Sequence, residues 1–148
     1  MYRNILIATD GSALAEKAVS HGLSLAKSVG AKITAVIVEA PFNVYDVPAS
    51  RIRQMSEAFA QHAEHIKQHA AKVLNHVEDA AKATGVPCET VQLEHDHPYK
   101  AIIATAKDKS CDLIVMASHG RSGISAVLLG SVTNKVLTHT NIPVLVCH

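Results

Sequence analysis

No run of apolar residues in this 148-residue chain approaches the roughly 18 that a membrane-spanning helix needs, and Met1-Tyr2-Arg3-Asn4 leads into the first apolar segment without a signal-like region. A cytoplasmic protein with no membrane partner is the expectation. Charge of one sign is also missing. The 14 Lys and Arg against 13 Asp and Glu leave a formal charge of +1, which gives nucleic acid or an anionic surface no long-range attraction. No nucleic-acid partner is expected, and any anion site must be local. Cysteine is scarce: Cys88, Cys111 and Cys147 are odd in number and form no C-x-x-C pair, which argues against a disulfide framework and suits a reducing compartment. They read as small apolar packing residues. Low-complexity stretches and repeats of roughly 20 to 50 residues are absent too, which excludes a solenoid.

What remains is a globular balance, 48% hydrophobic and 18% charged, at a length that fits one domain able to bury roughly two-thirds of its unfolded surface. Ile5-Leu6-Ile7-Ala8 is too short and too uniformly apolar for an amphipathic helix, so it reads as a central strand covered on both faces. Ser12 then caps a helix from Ala13 to Val29, with Leu14, Ala18, Leu25 and Val29 at helical spacing and Gly30 as the stop. Strand two runs from Lys32 to Val38. Pro41 and Pro48, with Asn43, Tyr45 and Asp46 between them, mark a loop of about a dozen residues that either touches a ligand or is a surface excursion.

Ile52, Met55, Phe59, Ile66, Ala70, Val73 and Val77 form one stripe at about 100° per residue, predicting one long helix from Arg51 to Thr84, or two with a kink, ended by Gly85. Cys88 to Leu93 is strand three. Pro98 opens a third helix, to about Lys109, that turns Ala101, Ile102 and Ala106 inward. Leu113 to Met116 is strand four, Val132 to Thr138 a last helix with Ser131 as its cap, and Val144 to Cys147 strand five. Five strands alternating with four helices predict an α/β three-layer sandwich with a parallel sheet.

The stretch from Asp112 to Val146 carries the chemistry. A buried strand is followed by Ala117-Ser118-His119-Gly120-Arg121-Ser122-Gly123, and Gly130-Ser131 then stands at a helix start. Bare backbone N–H groups at glycines and a helix dipole both favour an anion. Neither common phosphate loop matches. A P-loop needs Lys after its second glycine, and a Rossmann turn needs three close glycines after the first strand.

The residues resemble the universal stress protein family, whose nucleotide-binding members carry Gly-x-x-Gly, nine residues, then Gly-Ser or Gly-Thr. Here Gly120 is the second glycine, Arg121 to Leu129 supply the nine, Gly130-Ser131 closes the pattern, and Ala117 replaces the first glycine. The likeness extends from Ile5-Leu6-Ile7-Ala8-Thr9-Asp10-Gly11-Ser12 to Pro143-Val144-Leu145-Val146.

It implies an adenine nucleotide alpha hydrolase-like fold. Together with right-handed crossovers it favours strand order 3-2-1-4-5, with the reversal between strands one and four. The ends of those strands, Ala8-Thr9-Asp10 and Met116-Ala117-Ser118, are where ligands gather in such sheets.

By the same resemblance the ligand is ATP or another adenine nucleotide, with Mg2+ as a candidate companion. Gly120, Gly130, Ser131 and Val132 would hold phosphates through backbone N–H groups, with the Ser131 and Thr133 hydroxyls as added donors. Met116 and Ala117 would border ribose and base, Val38 would face adenine, and Ala8, Thr9 and Asp10 would close the site from strand one. Asp10 has three open roles: acceptor from ribose or base, Mg2+ ligand, or turn carboxylate at the next helix. Arg121 would pair with a phosphate or stay solvated, and His119 would donate to a phosphate or pin the loop.

Strand five is an expected sheet edge, and an apolar edge is a liability unless paired or covered. In the family it pairs with its copy, implying a homodimer through Pro143 to Cys147.

Ten histidines need an account. His62, His65, His69 and His76 lie along one flank of the long helix, and His95-Asp96-His97 is a second group; both could ligate metal or be ordinary boundary residues. For catalysis there is no Gly-x-Ser-x-Gly elbow, and Thr9-Asp10-Gly11-Ser12 differs from the Ser-Gly-Gly-x-Asp-Ser loop of ATP pyrophosphatases. Three readings stand: a nucleotide-binding stress sensor or signalling module with an unknown protein partner, a nucleotide-independent interaction module, and a slow ATP hydrolase.

Overall fold

The computed structural model of the protein describes residues 1–41, 47–120 and 129–148, apart from the side chain of Arg53. Five strands, β1 (Asn4–Ala8), β2 (Lys32–Glu39), β3 (Cys88–Glu94), β4 (Leu113–Ala117) and β5 (Val144–Cys147), form one sheet in the order β3-β2-β1-β4-β5. All four neighbouring pairs are parallel. The expected order holds, with the reversal between β1 and β4.

Strand parity explains the layers, because successive side chains leave a strand on opposite faces. Ile5 and Ile7 of β1, Ile33, Ala35 and Ile37 of β2, and Leu113 and Val115 of β4 enter a cluster under α1 (Ala13–Val29) and α2 (Ala49–Thr84). Leu6, Val36, Ile114 and Met116 enter a second cluster, under α3 (Pro98–Asp108) and α4 (Ser131–His139). β1 is therefore buried on both faces, with Ile5, Leu6 and Ile7 fully inaccessible.

Helix α1 starts as its sequence dictates. Ser12 has extended φ/ψ and its Oγ accepts from the Ala15 N–H at 3.2 Å, while Gly30 ends the helix in the left-handed region at φ 72°. Removing that cap with Ser12→Ala should cost about 1 kcal/mol of unfolding free energy in a urea titration. Of the positions expected inward, Ala18 is fully buried. Ala15, Ala18, Val19, Gly22, Leu23 and Ala26 face the sheet, and Leu14, Leu25 and Val29 flank it half-buried. Small residues at Ala15, Ala18, Gly22 and Ala26 let α1 lie close to the sheet, and Val19 and Leu23 fill the rest of that face.

The α2 stripe divides. Ala70, Val73, Leu74, Val77 and Ala81 are buried against the sheet, whereas Met55, Phe59 and Ile66 are half-buried and Ile52 is exposed. The loop residues Asn43, Tyr45 and Asp46 lie outside the described set. At the amino ends of the strands, polar groups satisfy one another. Asn4 Oδ1 accepts from the Thr34 hydroxyl, Asn4 Nδ2 donates to the Lys109 carbonyl, and Asp112 accepts from the Arg3 and Asn4 N–H groups. That end is closed.

Candidate functional site

The carboxyl ends of the strands are open. A cleft of about 610 Å³ lies there, in the range of small-molecule sites. Its lining includes Ala8, Thr9, Asp10, Val38, Met116, Ala117, His119, Gly120, Gly130, Ser131, Val132 and Thr133. Every position selected from the sequence is thus in one place except Arg121, which lies outside the described residues together with Ser122 and Gly123.

The floor follows from register. Ala8 pairs with Val36 across β1 and β2, and Met116 stands one residue beyond Val115, the partner of Ile7. All three side chains share the α3/α4 face, where Val38, Ile102 and Val132 pack beside them. The result is an apolar surface suited to a planar ring. Sequence reading missed Ala15, Val36, Glu39, Ala40, Pro98, Ile102 and Leu129 in the wall. Parity could have supplied Val36, because it projects on the same face as Val38. Pro98 and Ile102 arrive only through packing of α3, which no local pattern encodes.

The polar end is built where the two ends of the β4–α4 connection meet. The Gly130 N–H donates to the Ser118 carbonyl at 2.7 Å, and a Cβ placed on Gly130 would sit 3.1 Å from that oxygen and 3.3 Å from His119 Cα. Side chains are excluded at Gly130 because backbone already occupies their space. The contact also corrects the expected role of the Gly130 amide, which is committed to Ser118.

Helix α4 begins one residue earlier than its sequence suggested. Ser131 is its first residue, not its cap, and Gly130 is the N-cap with no side-chain acceptor for the first turn. The N–H groups of Ser131, Val132 and Thr133 precede the first intrahelical bond, Asn134 N–H to Gly130 O. An uncapped helix start of this kind favours an anion by about 1 kcal/mol from the dipole alone. Thr133 is corrected as well. Its hydroxyl, in a residue only 3% exposed, donates to the Ala117 carbonyl at 2.9 Å, so it fixes α4 to the end of β4 and its hydrogen is not available to a phosphate.

Asp10 faces the glycine loop from β1. Its Oδ1 accepts from the Ser12 N–H at 3.0 Å, an Asx-type turn, and its Oδ2 lies 2.6 Å from where a Cβ on Gly120 would stand. Ser12, not Asp10, supplies the helix cap. A methyl at Gly120 would push that carboxylate aside. The His119 Nδ1 lies 2.7 Å from the Ser118 hydroxyl, and Ser118 is 1% exposed. His119 is thereby pinned to its own loop at the wall of the cleft. The methyl of Ala117 belongs to the cluster on the α1/α2 side. The extra carbon relative to glycine is absorbed by the core.

Among the described residues no group of three His, Cys, Asp or Glu side chains is placed to hold a metal ion. His76 Nε2 is 3.4 Å from Glu16 Oε2 on an exposed surface, a contact of little energetic weight. His95 Nδ1 accepts from the His97 N–H, a local turn. Burial pushes all three thiols above the ordinary cysteine value, with Glu78 adding to the rise at Cys88. A raised pKa is the opposite of an activated nucleophile.

The universal stress protein family model matches residues 1–148. A universal stress protein of Methanocaldococcus jannaschii is 32% identical over 146 residues, covering 99% of this chain and 82% of that protein. Among solved structures, the hypothetical protein MJ0577 superposes with a TM-score of 0.80 at 26% identity, over 99% of this chain and 96% of its own. A universal stress protein solved in complex with cAMP does so with a TM-score of 0.67 at 25% identity, over 99% and 97%.

Proposed function

The chain belongs to the universal stress protein family, and from that footing we propose that it binds an adenine nucleotide in the cleft between β1 and β4. One observation carries the reading: the uncapped start of α4 and the Gly120 loop meet at one end of a cleft whose other end is an apolar floor. Phosphate goes to the first end and adenine to the second. The cAMP held by the solved relative agrees in ligand class. The Ser131 and Val132 amides would take the phosphate, with Gly120 and His119 beside it. Ala8, Val38 and Met116 would flank the base, while Thr9, Asp10 and Ala117 complete the wall.

In this proposal the protein acts in the cytoplasm as a stress-response sensor or signalling module, and bound nucleotide sets its contacts with a protein partner. Among the described residues no helix is long and apolar enough to cross a membrane. ATP is the triphosphate candidate. Calorimetry on protein stripped of endogenous small molecules tests the reading: saturable heat with AMP, cAMP or Mg-ATP is expected, and no heat at millimolar ligand would sink it.

The proposal extends to a homodimer through Pro143 to Cys147. Among the described residues β5 pairs only with β4, and its Leu145 is 39% exposed. Strand addition across a twofold axis would pair that edge. Light scattering should give twice the chain mass at micromolar concentration and the monomer mass for Leu145→Glu; a monomeric wild type would overturn the interface.

A further inference from the structure

Away from the cleft, a second hollow of about 390 Å³ lies where α3 meets the end of α4. Tyr99, Lys100, Ile103, Ala104 and Lys107 line it from α3, and His139 closes it from α4. Positions 100, 103, 104 and 107 recur at helical spacing, so they form one stripe along α3. Lys100 and Lys107 stand two turns apart, about 10 Å along the axis, with Ile103 and Ala104 between them. The groove has an apolar floor and cationic ends.

The floor is fixed from below and from the side. Ile103 is 7% exposed and belongs to the core cluster under α3 and α4, against which Tyr99 packs half-buried. The Tyr99 ring lies 5.0 Å from that of His139, and Lys135 Nζ stands 5.5 Å from its centroid. His139 Nδ1 is 2.8 Å from the Lys135 carbonyl, which can only accept, so Nδ1 donates there. A planar ring is thus held in place at one end of the stripe, with cations around it.

Charge selects the occupant. Lys100, Lys107 and Lys135 stand against one carboxylate, Asp108, on a chain whose formal charge is only +1. Among the described residues none of the three lysines is in a salt bridge. Lys100 and Lys107 are too far apart to converge on one phosphate, and a flat anionic surface would meet Asp108 while leaving the floor unfilled. An extended chain fits better, because its alternate side chains face one way. A segment of the form acid-x-apolar-x-acid presents three such side chains over about 13 Å, within reach of two flexible lysine stems, and sets the apolar one over Ile103 and Ala104.

We propose that this groove docks an extended acidic segment of a partner protein, two carboxylates astride one apolar side chain. The inference gives a chemistry to the partner of the signalling module described above, and rests on that reading for the partner's being a protein. Helices α3 and α4 also wall the nucleotide cleft through Pro98, Ile102, Val132 and Thr133, so a docked segment would rest on the same two helices as the ligand.

The test is a residue-resolved amide titration of isotopically labelled, nucleotide-free protein with a synthetic peptide carrying Glu-Ser-Leu-Ser-Glu at its centre. Saturable shifts centred on residues 99–108 and 135–139 are expected, with a Kd at or below about 1 mM. The counterpart with Lys-Ser-Leu-Ser-Lys should bind about tenfold more weakly or worse. Reversing both ends with Lys100→Glu and Lys107→Glu should weaken the acidic peptide by at least about tenfold and leave AMP calorimetry unchanged. Absence of saturable shifts, equal binding of the two peptides, or undiminished binding in the double variant would each overturn the inference. So would co-sedimentation with phosphatidylglycerol vesicles in place of peptide binding, since the groove would then serve a membrane surface. If the double variant fails to fold, the comparison of the two peptides on wild type still decides. AMP calorimetry judges nucleotide binding separately, so either result can fail while the other stands.

Discussion

Gly130→Val should lower adenine-nucleotide affinity by about 100-fold or more, the equivalent of losing two charge-assisted hydrogen bonds at ~1.5 kcal/mol each. The mechanism is not a side chain plugging the cleft. A Cβ at this position would sit 3.1 Å from the Ser118 carbonyl and 3.3 Å from His119 Cα, so a branched side chain forces apart the two ends of the β4–α4 connection that the Gly130–Ser118 hydrogen bond holds together. Separating them moves the Ser131 and Val132 amides away from Gly120. Gly130→Ala should fall between wild type and valine, because a shift of a few tenths of an ångström relieves a single methyl. Circular dichroism should remain near wild type in both, and calorimetry should separate them. Wild-type affinity in the valine variant would contradict the seat.

The second large effect concerns stability. A Cβ on Gly22 would lie 2.6 Å from Ile7 Cδ1 and 3.0 Å from its Cγ1, and Ile7 is fully buried. At Gly22 α1 lies directly against Ile7 of β1, and interiors packed to crystal density do not yield to a new side chain. Gly22→Leu should cost about 3 kcal/mol, the upper part of the range for overpacking. The urea midpoint should fall accordingly. Combining it with Ile7→Ala should recover part of the loss, since the two side chains compete for one volume. A Gly22→Leu variant as stable as wild type would show that α1 can lift off the sheet without penalty.

These two glycines mark where sequence reading succeeds and where it stops. Gly130 was legible because a Gly-Ser pair at a helix start has a chemical reason tied to a spacing. Gly22 was not, because it sits mid-helix and its role depends on a strand fifteen positions earlier in the chain. The strands were legible from short β-branched runs, and their order followed from right-handed crossovers and the family resemblance, so the switch point fell where the glycine loop did.

On α1 the pattern marked Ala18 and the half-buried Leu14, Leu25 and Val29 but not the centre of the face, because small residues at Ala15, Gly22 and Ala26 carry little hydrophobic signal. The polar end was half legible. Ser131 and Thr133 were identified as site residues, but which hydrogen each group gives away is decided by partners at Ala117 and Ser118 that only the fold brings near. Arg121 lies outside the described residues, so its expected phosphate contact stays a sequence-based expectation.

The uncapped first turn of α4 as a phosphate seat is tested most directly by a residue-resolved titration. With AMP added to isotopically labelled, nucleotide-free protein, the amide resonances of Ser131, Val132 and Gly120 should show the largest saturable shifts, and adenosine alone should leave Ser131 and Val132 little changed. Saturable binding whose largest shifts fall elsewhere, with those three amides unmoved, would contradict the account.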